Sequence, residues 1–225
     1  MINKSFDEIK EEIIKNLSEE SGNQKFIFLT GAAGTGKTTL LESIKHEVDK
    51  KKIVVAPTGI AALNIGGTTI NSAFRIGFDT IPKVNKSEDP TFRKLLKNLE
   101  LLVIDEISMV RAPMLDAISQ SLQIHRKSNK PFGGIDVIVC GDLFQLPPVV
   151  KQNEEDAIYA KYDSVYFFDA FSFKDIEGKI FYELNESFRQ EEDQRFCELL
   201  NNIRIGQDLE STINQINSNC FDPTL

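Results

Sequence analysis

Residues 31 to 39 read GAAGTGKTT, and the apolar run Leu101, Leu102, Val103 and Ile104 ends on Asp105 and Glu106. These residue types, so spaced, can hold a nucleoside triphosphate and its magnesium ion. The loop Gly31, Ala32, Ala33, Gly34, Thr35 and Gly36 can turn successive backbone N–H groups inward around phosphate oxygens, and the start of a following helix favours the same anion. Lys37 is placed to reach the β- and γ-phosphates as a mobile point charge, and the Thr38 hydroxyl, followed by Thr39, to ligate magnesium. Asp105 would hold the metal, directly or through water, and Glu106 would polarise the attacking water. The bland alternatives are a glycine-rich turn with an accidental lysine and an ordinary acidic turn after a strand. The pairing of the two segments argues against both.

Such a loop needs a strand before it and a helix after it. Phe26-Ile-Phe-Leu29 supplies the strand (26–30), and a helix is expected over 38–49. A strand at 53–56, a turn at Pro57-Thr58-Gly59 and a short helix complete a βαβ unit. The continuous apolar run at 101–105 reads as a buried parallel strand, whose C-terminal end is where ligands collect in open α/β sheets. Leu115, Ile118 and Leu122 place one apolar stripe on a helix at 112–125, and 135–140 reads as a further strand. Residues 77–90 read as a surface loop and 91–99 as a short helix. Two later apolar runs, 165–173 and 180–184, are expected to add strands, and 192–203 a helix. Phe6, Ile9, Ile13 and Leu17 recur at helical spacing, so the first 22 residues read as an amphipathic helix packed beside the sheet. Alternating strands and helices imply an α/β fold with a mostly parallel sheet and helices on both faces.

At 225 residues with 41% hydrophobic content, the chain can bury one large core but not two full nucleotide-hydrolysing domains. Its three cysteines match no zinc-site spacing and fit a reducing compartment. The N-terminus has neither a secretory core nor a membrane-spanning run, so a cytoplasmic location without membrane contact is expected. A net charge of −8 argues against non-specific wrapping of duplex DNA. It leaves open a local groove that grips single strands by stacking and a few phosphate contacts.

A phosphate loop and an acidic strand end fit an ATPase or a GTPase alike. Four further strings narrow the choice: APTGIAALNIGGTTINSAF at 56–74, IDEISMVRAPMLDAI at 104–118, CGDLFQLPPV at 140–149 and LNESFRQ at 184–190. In this order and at these distances they resemble the first RecA-like domain of the Pif-type, RecD-like DNA helicases of superfamily one, over roughly residues 26–190. The resemblance implies a phosphate-loop ATPase fold, Mg-ATP as ligand, single-stranded DNA as partner, and 5′-to-3′ translocation with duplex unwinding; a monomeric working unit is expected. It also implies that Gln145 senses the γ-phosphate and couples it to bound DNA, that Asp142 helps position the Gln145 loop, and that Arg189 stabilises charge developing in the transition state. Pro57 and Thr58 would meet the sugar-phosphate backbone, and Phe74 would stack on or wedge against a base, although a core position suits Phe74 too.

The chain departs from the family pattern in three places. Asn71 stands where the family usually has histidine, which leaves an amide in place of a ring that could stack or carry charge. No glutamine-bearing adenine-reading motif precedes the phosphate loop, since Gln24 stands too close to the strand. Family members continue into a second RecA-like domain, whereas this chain stops at Leu225. Residues 23–225 are therefore read as the first of two motor domains, a fragment expected to bind nucleotide but neither to unwind DNA nor to hydrolyse ATP quickly. The polar segment 151–166 is a candidate strand-separating insertion. Two other readings stay open: a phosphate-loop ATPase driven by a protein partner, and a nucleotide-gated binding module without turnover, which would have no need of Glu106.

Overall fold

The computed structural model describes residues 4–19, 22–32, 34–185 and 191–220. In chain order the elements are α1 (Phe6–Ser18), β1 (Phe26–Gly31), α2 (Lys37–Glu47), β2 (Lys52–Ala56), α3 (Gly59–Asn64), β3 (Thr68–Thr69), α4 (Ile70–Phe74), α5 (Pro90–Asn98), β4 (Leu101–Ile104) and α6 (Ala112–Arg126). There follow β5 (Asp136–Cys140), α7 (Gln152–Tyr159), α8 (Phe171–Lys174), β6 (Lys179–Leu184), α9 (Glu191–Ile205) and α10 (Leu209–Cys220). The strands form one six-stranded sheet in the order β3-β2-β4-β5-β1-β6, and every pairing is parallel. All strand C-termini therefore open on one edge of the sheet.

Two-residue periodicity divides the core. Phe26, Phe28, Leu102, Ile104, Val137 and Val139 face one layer, with α5 and α6; Ile27, Leu29, Leu101, Val103, Ile138 and Cys140 face the other, with α1 and α2. Burial on both faces is why these strands read as unbroken apolar runs. A capping box starts α1: Ser5 Oγ accepts the Glu8 N–H at 3.3 Å, and Glu8 accepts the Ser5 N–H at 2.8 Å. The stripe Ile9, Ile13 and Leu17 then packs with Leu40, Leu41 and Ile44 of α2.

The apolar run at 165–173 is not a strand, contrary to the sequence expectation. It forms a helical turn, Phe167–Asp169, followed by α8. The Asp116 carboxylate accepts the N–H groups of Phe171 (3.1 Å) and Ser172 (2.8 Å) at the start of α8. Phe167 and Phe173 pack edge-on against each other, and Phe28 and Phe26 meet them in the same geometry. Ring packing in a cluster replaces ladder pairing. Residues 179–184, by contrast, do pair with β1. The helix α10 escaped the sequence reading because its apolar residues are sparse and Leu209 and Ile213 stay largely exposed. No helix among the described residues is long and apolar enough to cross a membrane.

Ile13 is fully buried between α1 and the sheet layer. Truncating it to alanine is expected to lower unfolding free energy by about 2–5 kcal/mol in urea denaturation; a cost below about 0.5 kcal/mol would mean that α1 is not part of the core.

Candidate functional site

Gly31 ends β1 at a place where a side chain will not fit. A Cβ there would lie 2.6 Å from the Leu184 carbonyl oxygen and 2.7 Å from Thr35 Oγ1. Gly34 and Gly36 take left-handed backbone, with φ of 82° and 83°. Gly36 is also the N-cap of α2 and brings no side-chain oxygen to it, so the first N–H groups of the helix remain available to an anion. The buried Thr35 hydroxyl donates to the Ala32 carbonyl at 2.9 Å and holds the loop's curvature. Lys37 Nζ donates to the carbonyls of Gly31 (2.8 Å) and Ala32 (2.9 Å), so the ammonium lies across the loop's own mouth. Thr38 and Thr39, in the first turn of α2, are exposed. Ala33 lies outside the described residues.

Strand β4 runs between β2 and β5 and delivers Asp105 to the same edge, 7% exposed. The Asp105 N–H donates to the Val55 carbonyl at 2.9 Å, and its Oδ1 accepts the Glu106 N–H at 2.9 Å. Burial pushes the Asp105 carboxyl above the usual carboxylate range, against hydrogen bonds from the Glu106 N–H and Cys140 and the charge of Lys37. Glu106 is raised as well, first by burial and then by the charge of Asp105, while Lys37 again opposes the shift. One ammonium thus sits within electrostatic reach of both carboxylates. Glu106 itself takes left-handed backbone (φ 51°), which turns the chain into the tight helical turn Ile107–Met109. Cys140, fully buried at the end of β5, has its thiol pushed well up by burial and hydrogen-bonds to Asp105.

The loop after β5 lies against that turn, as a Cβ on Gly141 would come within 3.1 Å of the Ile107 backbone nitrogen. Asp142 is fully buried, its carbonyl accepting the Gln145 N–H at 3.0 Å and its Oδ1 the Phe144 N–H at 3.0 Å. Gln145 is exposed at the turn so formed. Arg189 falls within 186–190, outside the described residues.

Beside the acidic turn, a groove of about 370 Å³ is lined by Pro57, Thr58, Asn71, Phe78, Arg111 and Lys151 among others. Pro57 and Thr58 follow β2, and the Thr58 hydroxyl accepts the Ala61 N–H at 3.2 Å to start α3. Asn71 donates to the carbonyls of Ile76 (3.0 Å) and Gly77 (3.2 Å), fastening the turn before Phe78. Phe74 is a correction to the sequence reading. It is 2% exposed inside the core layer of α5 and α6 and has no free face for a base. The exposed ring is Phe78, at 84%. Phe78 escaped notice although its setting in the polar loop 77–90 was a signal, since an aromatic residue in such a loop has no core to enter. Arg111 was missed as well. It approaches Glu154 of α7 at 3.4 Å and the Asp79 carbonyl at 3.4 Å, while Glu154 also accepts from Thr80 (2.9 Å) and the Lys151 N–H (3.0 Å). The segment 151–166 thus contributes one wall of the groove through Lys151 and Glu154. Gln24 donates to the carbonyls of Pro131 (2.9 Å) and Ile135 (2.7 Å), a structural tie rather than a base contact.

A family model described as "PIF1-like helicase" matches residues 1–214. The chain is 39% identical over 191 residues to ATP-dependent DNA helicase PIF1 of Candida albicans, covering 80% of this chain and 21% of the relative. With the human ATP-dependent DNA helicase PIF1 it shares 38% identity over 194 residues, 84% of this chain and 29% of the relative. A crystal structure of Bacteroides Pif1 bound to ssDNA superposes with a TM-score of 0.85 at 40% identity, over 97% of this chain and 50% of that one. A Pif1 helicase from Bacteroides in complex with ADP-AlF3 and ssDNA gives a TM-score of 0.82 at 41% identity, over 95% of this chain and 49% of that one. The chain therefore spans about a quarter of these curated relatives and half of these solved chains.

A carboxyl whose folded pKa is raised costs stability while charged, and that cost is relieved as the pH falls through the raised value. Asp105→Asn is therefore expected to raise the urea midpoint at pH 8, with the advantage over the native chain narrowing as the pH is lowered. An asparagine variant less stable than the native chain at pH 8 would contradict the desolvated placement of Asp105.

Proposed function

Because the chain belongs to the PIF1-like helicase family, we propose that it is an ATP-driven DNA helicase motor domain that binds Mg-ATP and single-stranded DNA at one edge of its RecA-like sheet. On this reading residues 23–225 are the motor domain and residues 1–22 an N-terminal segment whose helix α1 packs on it. The carrying observation is that the acidic turn and the groove are one stretch of chain. From Asp105 and Glu106 the backbone passes through a single tight turn to Met109, Val110 and Arg111, which line the groove.

On this reading Lys37 leaves the Gly31 and Ala32 carbonyls for the β- and γ-phosphates, while the uncapped start of α2 holds phosphate oxygens. Thr38 and Asp105 would hold magnesium, which would supply charge neutralisation at the phosphates. Glu106 orients the attacking water, and burial together with the neighbouring charge of Asp105 raises its carboxyl above the usual range, which makes it a stronger base than a solvated carboxylate. Gln145 reads the γ-phosphate, and Arg189 supplies the charge-stabilising guanidinium. In the groove, Phe78 takes the stacking role and Asn71 a supporting one, while Pro57, Thr58, Arg111 and Lys151 track the backbone. The working unit is a monomer in the cytoplasm, and translocation runs 5′ to 3′.

The first test is ATP hydrolysis by this chain with and without a single-stranded oligonucleotide, with Lys37→Ala as background. Slow hydrolysis that DNA stimulates and Lys37→Ala abolishes is expected; hydrolysis unchanged in the Lys37→Ala chain would refute the site. Phe78→Ala is expected to weaken oligonucleotide binding by about 5- to 100-fold in fluorescence anisotropy, the range for loss of one stacked base, with nucleotide affinity unchanged. Phe74→Ala should instead cost about 3–5 kcal/mol of stability. The reverse pattern would move the stacking role back to Phe74.

A further inference from the structure

Arg204 belongs to none of the strings that carry the family resemblance, yet it makes a three-part side-chain contact near the proposed nucleotide site. It projects from the last turn of α9 and grips Asp142 with two nitrogens, Nε to Oδ2 at 2.8 Å and Nη2 to Oδ1 at 3.1 Å. Its guanidinium also lies over the Phe144 ring, 4.6 Å from the centroid. The Asp142 side chain is completely buried and that of Arg204 is 17% exposed, so the pair is shielded from water. Asp142 and Phe144 are the residues that shape the turn presenting Gln145: the Asp142 carboxylate accepts the Phe144 N–H, and its carbonyl accepts the Gln145 N–H. Two carboxylate oxygens, one ring and two backbone bonds thus fix a single turn, with Arg204 closing it from outside.

A guanidinium suits this task better than an ammonium. Its planar fork fits both carboxylate oxygens at once, and its flat face can rest on an aromatic ring. Lysine would neutralise Asp142 but could do neither.

We propose that Arg204 is a positioning residue for nucleotide sensing: it fixes the Asp142–Gln145 turn and so ties α9 to the γ-phosphate side of the site. The inference rests on the proposed binding of Mg-ATP and single-stranded DNA, and within that reading it assigns to α9 a part in the coupling between the two ligands. A shift of α9 would be felt at Gln145 through one rigid contact, and a shift at Gln145 would be felt in α9.

The test is a coupling measurement on the 225-residue chain. Affinity for a fluorescein-labelled oligothymidylate is measured with and without a non-hydrolysable ATP analogue and magnesium, in the native chain, Arg204→Lys, Gln145→Ala and the double variant. In the native chain the analogue should change DNA affinity by about fivefold or more, a usual size for coupled sites. In Arg204→Lys the factor should fall below about twofold, with each ligand's own affinity and the melting temperature close to native. Gln145→Ala should remove the same coupling, and the double variant should go no further. Undiminished coupling in Arg204→Lys would overturn the proposal, as would coupling lost only together with the affinity for one ligand. Should Arg204→Lys fail to fold, Phe144→Leu leaves the ion pair and removes the ring, and the same readings decide. A native chain that binds neither ligand would refute the proposed function itself, whereas one that binds both without coupling would overturn this inference alone.

Discussion

Parallel pairing of β4 between β2 and β5 is the constraint on which everything else rests. The register sets Val55 beside Ile104 and Ile104 beside Val139, so the chain leaves these three strands at nearly the same height. Because parallel strands end on one edge, Pro57, Asp105 and the Asp142–Gln145 turn emerge side by side, and β1 adds the phosphate loop beyond β5. A slip of one residue in β4 would turn Leu102 and Ile104 into the wrong layer and draw Asp105 out of reach of Lys37. The two-layer core therefore fixes the register that aligns the chemistry.

That alignment carries an electrostatic cost that the site turns to use. Asp105 is desolvated on a buried strand end, and its neighbour Glu106 feels the same loss of water and a like charge besides. Lys37 is the counterweight to both carboxylates, yet it also bonds two carbonyls of its own loop. A divalent cation would relieve the same strain, which is why an acidic pair at such a position favours metal binding more than the same pair in solvent.

Much of this could be read from residue order alone, and the failures have physical causes. Buried parallel strands announce themselves as apolar runs, so 26–30, 53–56, 101–105 and 135–140 lie within a residue or so of the observed strands. The run at 165–173 shows the limit of that signal. Rings in sequence can pair across a sheet or cluster under a helix, and the contacts that go with the second choice here, such as the Asp116 bonds to the start of α8, come from a distant part of the chain. Phe74 and Phe78 illustrate a second limit. Both are phenylalanines near one motif, and the difference between 2% and 84% exposure depends on where α4 ends and on Asn71 holding the next turn. Arg204 illustrates a third, since its partner Asp142 lies far away in the chain and no local spacing links them.

The position of Lys37 also sets a threshold for entry. An ammonium already bonded to two carbonyls is not an open positive site that any passing anion fills. A competitor must offer more than those carbonyls do, and must reach the uncapped start of α2 at the same time. Chloride or a single phosphate meets one of these demands at a time, whereas a chain of phosphates spans both. On the proposed function, a loop bridged in this way would favour a longer anionic chain over a single ion.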